Sequence, residues 1–129
     1  MWFNKHPKTN EPRVRVMAVL SSESNRKTLQ RAAERRGWYL SLENPWDHPS
    51  PGQFEIVLYD RELHDWRQAI SSLAKVSPCV LLVSRVVDDA LWQEVVELGG
   101  YELLQDPFTE EQALRTLEQA VRYSATVKR

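Results

Sequence analysis

Apolar residues along the chain fall into short dense runs, separated by stretches in which they return every three or four positions, and this alternation sets the expected architecture. Val14-Arg15-Val16-Met17-Ala18-Val19-Leu20 begins by alternating and ends almost wholly apolar, as a strand does on entering a sheet covered on both faces. From Ser24 to Arg36, Leu29, Ala32 and Ala33 recur at helical spacing among charged residues, and Gly37 follows as the left-handed stop that helices favour. Trp38 to Leu42 reads as a short strand, and Phe54 to Tyr59 as a third that ends at Asp60. Leu63, Trp66, Ile70 and Leu73 form the next helical stripe. Cys79 to Val83 is a wholly apolar strand, Asp88 to Leu98 a helix with Leu91, Val95 and Leu98 inward, and Gly99-Gly100 its terminator. Tyr101 to Leu104 gives the last strand. Thr109-Glu110-Glu111-Gln112 opens the last helix with a capping-box pattern, and Ala113, Leu117, Ala120 and Val121 face inward along it.

Two stretches break the rhythm. Asn44 to Gly52 holds three prolines in nine residues, each unable to donate within a helix, so this segment is expected to form one helical turn at most. Residues 1–12, polar and interrupted by Pro7 and Pro12, read as an N-terminal tail that Trp2 and Phe3 could pin to the domain. Residues 13–125 then make one α/β domain of five strand-helix units, a (βα)5 chain with a shortened or missing second helix. Such alternation builds a parallel sheet through right-handed crossovers. Function in open sheets of this kind gathers beyond the carboxyl ends of the strands, which here carry Ser21-Ser22-Glu23, Asp60, Ser84-Arg85 and Asp106-Pro107.

Composition narrows the function. The 129 residues suffice for one core and not for two. With 17 basic and 18 acidic side chains, nothing in the net charge argues for general affinity for nucleic acid or an anionic membrane. No apolar stretch approaches the ~18 residues needed to cross a bilayer, and the start lacks the apolar segment of a secretory signal. The lone Cys79 lies in an apolar run, where it behaves as a small hydrophobe, and a chain without disulfides suits a reducing cytoplasm. His6, His48 and His64 show no ligand spacing with each other or with Cys79, so no metal site is assigned. A Gly-rich phosphate loop, a nucleophile elbow and a defensible catalytic set are all missing from the sequence, and no enzymatic activity is expected.

Three local patterns resemble the receiver domain of bacterial two-component response regulators. Glu55 to Asp60 resembles the strand that ends in the phospho-accepting aspartate. Ser84 falls where that family keeps Ser or Thr at the end of the fourth strand, and Leu103-Leu104-Gln105-Asp106-Pro107-Phe108 resembles its last-strand motif, which normally reads Lys-Pro-Phe. The resemblance covers about residues 13 to 125 and implies a flavodoxin-like, three-layer sandwich with strand order 2-1-3-4-5.

The departures from the family pattern are chemical. Ser21 and Ser22 occupy the places of its two adjacent acidic residues, with Glu23 the first carboxylate to follow. Magnesium in such sites takes hard oxygens and usually more than one carboxylate, so Mg²⁺ binding is not expected, and no other cofactor is. Asp106 replaces the lysine that would neutralise a phosphoryl group, turning a cation into an anion. Asp60, Ser84, Asp106, Ser21, Ser22 and Arg85 therefore read as a degenerate phosphorylation site. Arg85 has two readings, a bidentate ion pair with Asp60 or Asp106 in place of metal and lysine, or a solvent-facing side chain. The aromatic that the family uses on the last strand as a switch is Leu103 here.

These features predict a pseudo-receiver that acts by contact with a protein partner or with itself. The resemblance places the contact on the face made by the helix from Asp88 to Leu98, the last strand and the last helix, with Trp92, Val96, Tyr101 and Leu103 as candidate interface residues; an exposed Trp is a natural anchor, and ordinary packing is the competing reading. The basic first helix, with Arg26, Lys27, Arg31, Arg35 and Arg36, is read as a solvated face. The rival function is a chemically active receiver, phosphorylated at Asp60 by a histidine kinase or phosphotransfer partner, with Glu23 as an irregular metal ligand. A nucleotide or small-molecule sensor has no positive support in the sequence.

Overall fold

A computed structural model describes residues 14–42 and 48–127. Five strands alternate with four helices: β1 Arg15–Val19, α1 Glu23–Arg36, β2 Tyr39–Leu42, β3 Ile56–Asp60, α2 Trp66–Leu73, β4 Cys79–Ser84, α3 Asp89–Glu97, β5 Glu102–Gln105 and α4 Glu110–Val127. All pairings are parallel and the order is β2-β1-β3-β4-β5, as the resemblance implies. The N-terminal tail and part of the Pro-rich segment lie outside the described residues; between β2 and β3 the described stretch 48–55 contains no helix.

The alternation of side chains along each strand sorts the core into two layers. Val16 and Ala18 of β1, Ile56 and Leu58 of β3, and Leu81 and Val83 of β4 pack under Leu29 and Ala32 of α1 and Leu114, Leu117 and Ala120 of α4. Met17, Val19, Val57, Tyr59, Val80 and Leu82 point the other way, onto Trp66 and Ile70 of α2 and Leu91 and Val95 of α3. Because β3 and β4 are buried on both sides, they have no polar face to present, which explains their unbroken apolar runs. Among the described residues, no helix is long and apolar enough to cross a membrane.

Helix ends follow their capping chemistry. The Ser22 hydroxyl accepts from the Asn25 amide at 3.1 Å at the start of α1, and Gly37 closes that helix at φ 70°. Asp88 caps α3 through the Leu91 amide at 2.8 Å. The capping box of α4 forms in both directions, Gln112 N to Thr109 Oγ1 at 3.0 Å and Thr109 N to Gln112 Oε1 at 2.8 Å.

The boundaries moved in two places. Leu63, counted in the helical stripe, precedes α2, because Asp65 takes the left-handed conformation at φ 57° and the helix begins only after it. Phe54 and Glu55 stand before β3; Phe54 is buried, and Glu55 accepts from the Arg15 amide at 2.8 Å and is ion-paired with the Arg15 guanidinium. The basic face of α1 is partly engaged: Arg35 donates to Glu110 at 2.7 Å and Arg36 pairs with Glu118, tying α1 to α4. Arg67 pairs with Glu94 and lies 4.5 Å from the Trp66 ring centre, tying α2 to α3.

Candidate functional site

The carboxyl ends of β1, β3, β4 and β5 meet at one edge of the sheet, and the turns leaving them carry the residues singled out from the sequence. Asp60 is the last residue of β3 and is only 1% exposed. A carboxylate so deeply placed needs hydrogen-bond donors to offset its lost hydration. Three are in reach: the Ser21 amide and the Ser21 hydroxyl donate to Oδ2 at 2.9 and 2.7 Å, and the Glu62 amide donates to Oδ1 at 3.0 Å. All three are uncharged N–H or O–H groups. The place where a metal-binding receiver has an acid is thus filled by a residue that donates to Asp60.

The neighbouring hydroxyls are also committed. Ser22 spends its oxygen on the α1 cap. Ser84, buried at the end of β4, donates to the Val86 carbonyl at 2.8 Å and accepts from the Val86 amide at 3.1 Å, with Arg61 Nη1 3.5 Å away. Its hydroxyl therefore closes the β4 turn upon itself.

Asp106 leaves β5 next to Ser84, whose carbonyl accepts from the Asp106 amide at 2.9 Å, and the Asp106–Pro107 peptide is cis. The Asp106 carboxylate is held by the Asn25 side-chain amide at 2.7 Å. Arg85 does not form the bidentate pair considered from the sequence. Its Nε stands 3.8 Å from Asp106 Oδ2, its side chain is 76% exposed, and no contact with Asp60 is formed. The cause lies in the β4–α3 turn, where the Arg85 carbonyl accepts from Gln105 at 3.1 Å and fixes the backbone while the guanidinium extends into water. Glu23, the alternative metal ligand, is exposed on the first turn of α1.

Two site residues escaped the sequence reading. Asn25, 1% exposed, reaches from the first turn of α1 to Asp106, and Arg61 lies beside Ser84 and 5.7 Å from the Trp66 ring centre. The available signal for Asn25 was its place three residues after the cap Ser22, where a first-turn side chain points along the carboxyl edge of the sheet. Among the described residues no group of three or more His, Cys, Asp or Glu side chains could hold a metal ion. The groups that contact Asp60 are N–H and O–H donors of Ser21 and Glu62, whereas a hard divalent cation takes several oxygen ligands, usually more than one carboxylate.

On the face formed by α3, β5 and α4, Trp92 is 44% and Val96 41% exposed. Tyr101 is half-buried, its ring centre 4.8 Å from that of Tyr123. Burial comes first among the causes that raise its phenol pKa. Leu103, grouped with the interface residues from the sequence, is 7% exposed and packs in the core layer of Val95 and Leu91. Its side chain points inward because β5 alternates, so it underlies that face and presents almost no surface on it.

No family model and no curated protein sequence matches the chain. Solved structures do. The chain is similar to a response regulator from Thermotoga maritima, with a TM-score of 0.73 and 19% identity, over 86% of this chain and 99% of that one. It is similar to the chemotaxis response regulator CheY4 of Vibrio cholerae, with a TM-score of 0.69 and 18% identity, over 84% and 99%. HP1043, an orphan response regulator of H. pylori, aligns with a TM-score of 0.69 and 12% identity over 86% and 100%. At these identities the likeness shows the fold, which is the flavodoxin-like fold of receiver domains.

Proposed function

We propose that this chain, built on the receiver fold, is a signalling module that works through protein contact and has no magnesium-dependent phosphorylation at Asp60. The observation that carries this reading is the setting of Asp60: both carboxylate oxygens accept hydrogen bonds from neutral groups of Ser21 and Glu62, and among the described residues no ion pair reaches it. A phosphoryl acceptor must instead present a free oxygen beside a cation, since transfer depends on positioning and charge compensation. Asp106 adds an anion to the same edge of the sheet, held by Asn25. Like charges gathered in a partly dry site repel, and with Asp106 in place of a cation the phosphorylated state would lack its usual counter-charge. The contact surface in this reading is the α3–β5–α4 face, where Trp92 and Val96 stand exposed and take a protein partner or a second copy.

The test is an amide NMR titration with Mg²⁺ alone and then with Mg²⁺ and beryllofluoride. The expected spectrum is unchanged around Asp60, Ser84 and Leu103. Saturable shifts centred on Asp60 would overturn the proposal in favour of a phospho-accepting receiver, the reading that the buried Asp60 and Ser84 at adjoining strand ends would then support.

A further inference from the structure

We infer that the outer face of α3 receives a basic, apolar segment of another polypeptide, with a cationic side chain lodged against Trp92 between Asp89 and Glu102. The inference rests on the reading of this face as a contact surface and specifies the chemistry of what it takes.

Of the seven large apolar residues exposed among the described residues, four cluster here: Val86, Val87, Trp92 and Val96. Grouped apolar exposure of this kind marks a surface that is covered in use. Beside Trp92 the surface opens into a cleft of about 410 Å³, walled by Val87, Asp88, Asp89, Glu102 and Leu103. Its walls are thus apolar and anionic at once.

The carboxylates of the cleft carry no ion pair, unlike three that tie the helices together. On the inner side of the same helix Glu94 is paired with Arg67, and on α4 Glu110 and Glu118 are paired with Arg35 and Arg36. Asp88 and Glu102 accept only backbone amides, from Leu91 and Leu103, and among the described residues no cation pairs with them or with Asp89. Among the described arginines, 15, 31, 35, 36 and 67 are in ion pairs, Arg61 lies over Trp66, and Arg85 faces Asp106 at 3.8 Å. Arg115 lines a separate cavity beyond β5, with Gln105 and Gln112. The complement to these anionic and apolar walls is a cation carried on an apolar segment of a partner. An arginine or lysine entering the cleft gains the Trp92 ring face and two carboxylates together, and the flanking valines take apolar neighbours from the same segment. An acidic segment or a nucleic acid backbone would meet like charge at Asp88, Asp89 and Glu102.

The experiment is an amide NMR titration of the full chain with two synthetic peptides of equal length, one alternating leucine with arginine and the other leucine with glutamate. The arginine peptide is expected to give saturable shifts at Val87, Asp89, Trp92 and Glu102. Paired Asp89→Asn and Glu102→Gln changes should weaken it by about tenfold or more, and Trp92→Ala should abolish it with an unchanged folded spectrum. An equal response to the glutamate peptide, shifts spread over every acidic surface, or indifference to the neutralising changes would each overturn the inference. So would shifts of the same residues with protein concentration alone that vanish in Arg115→Ala, which would identify a second copy as the occupant. Beryllofluoride shifts at Asp60 would report on the separate question of phosphorylation and leave these outcomes readable.

Discussion

Ser21 donates two hydrogen bonds to a single oxygen of Asp60, one from its amide at 2.9 Å and one from its hydroxyl at 2.7 Å. A carboxylate buried in this way is stabilised by geometry alone, with no cation. Ser21→Ala removes the hydroxyl bond to a charged acceptor and is expected to cost about 1.5–3 kcal/mol in urea unfolding. Ser21→Asp should cost more, since a second anion then abuts Asp60.

Asp106 has one short partner and one distant one. Asn25→Ala strips the 2.7 Å donor from Asp106 and should lower stability by about 1–3 kcal/mol. Arg85→Ala removes a pair at 3.8 Å from a side chain that is mostly in water, and its effect should stay within about 0.5 kcal/mol. Equal losses in the two variants would mean that the guanidinium contributes far more than its position allows.

Leu103 and Trp92 border the same cleft and should respond differently to truncation. Leu103 is buried on β5 in the core layer of Leu91 and Val95, so Leu103→Ala is expected to cost about 2–5 kcal/mol. Trp92 is 44% exposed, so Trp92→Ala loses only part of its packing and should cost less, about 1–2 kcal/mol, while altering partner binding. Thermal or urea unfolding of both variants separates the two roles.

Burial pushes the Cys79 thiol from 9.0 up to about 12. At neutral pH the thiol is therefore protonated and enclosed, and alkylation should proceed only through unfolding, with a rate that rises with added urea. The linkage has a definite sign: between pH 9.0 and about 12 the unfolded chain gives up this proton and the folded chain keeps it. Stability from this group is thus complete below pH 9 and declines as pH rises through that window. Cys79→Ala should flatten that part of the stability profile.

The fold was legible where local and global demands agree. The apolar run from Cys79 to Val83 has one physical use in a chain of this size, and Gly37 and the Thr109–Gln112 box fixed helix ends that the structure reproduces. Leu63 misled because helical spacing persists past a backbone reversal at Asp65 that periodicity does not register. The site was legible as an address and much less as an arrangement. Asp60, Ser84 and Asp106 lie at strand ends as read, but the Asn25–Asp106 bond joins residues 81 positions apart, and no local pattern announces it. Ser21 looked like a lost ligand, and only coordinates show it as a donor. Leu103 looked like a surface residue beside Trp92 because the inward turn of a four-residue strand leaves little pattern to read.

The inner layer of the sandwich is closed by its last element. Ile56 and Leu58 of β3 and Leu81 and Val83 of β4 find cover in Leu114, Leu117 and Ala120 of α4, so strands made early wait for a helix made late. Until then the strands through Cys79–Ser84 hold part of one side bare beyond the cover of α1, an uncharged surface of the kind on which nascent chains stick to one another. A ribosome that stalls before Leu117 would release a polypeptide for chaperones and proteases to sort, which makes α4 the checkpoint between synthesis and a folded domain.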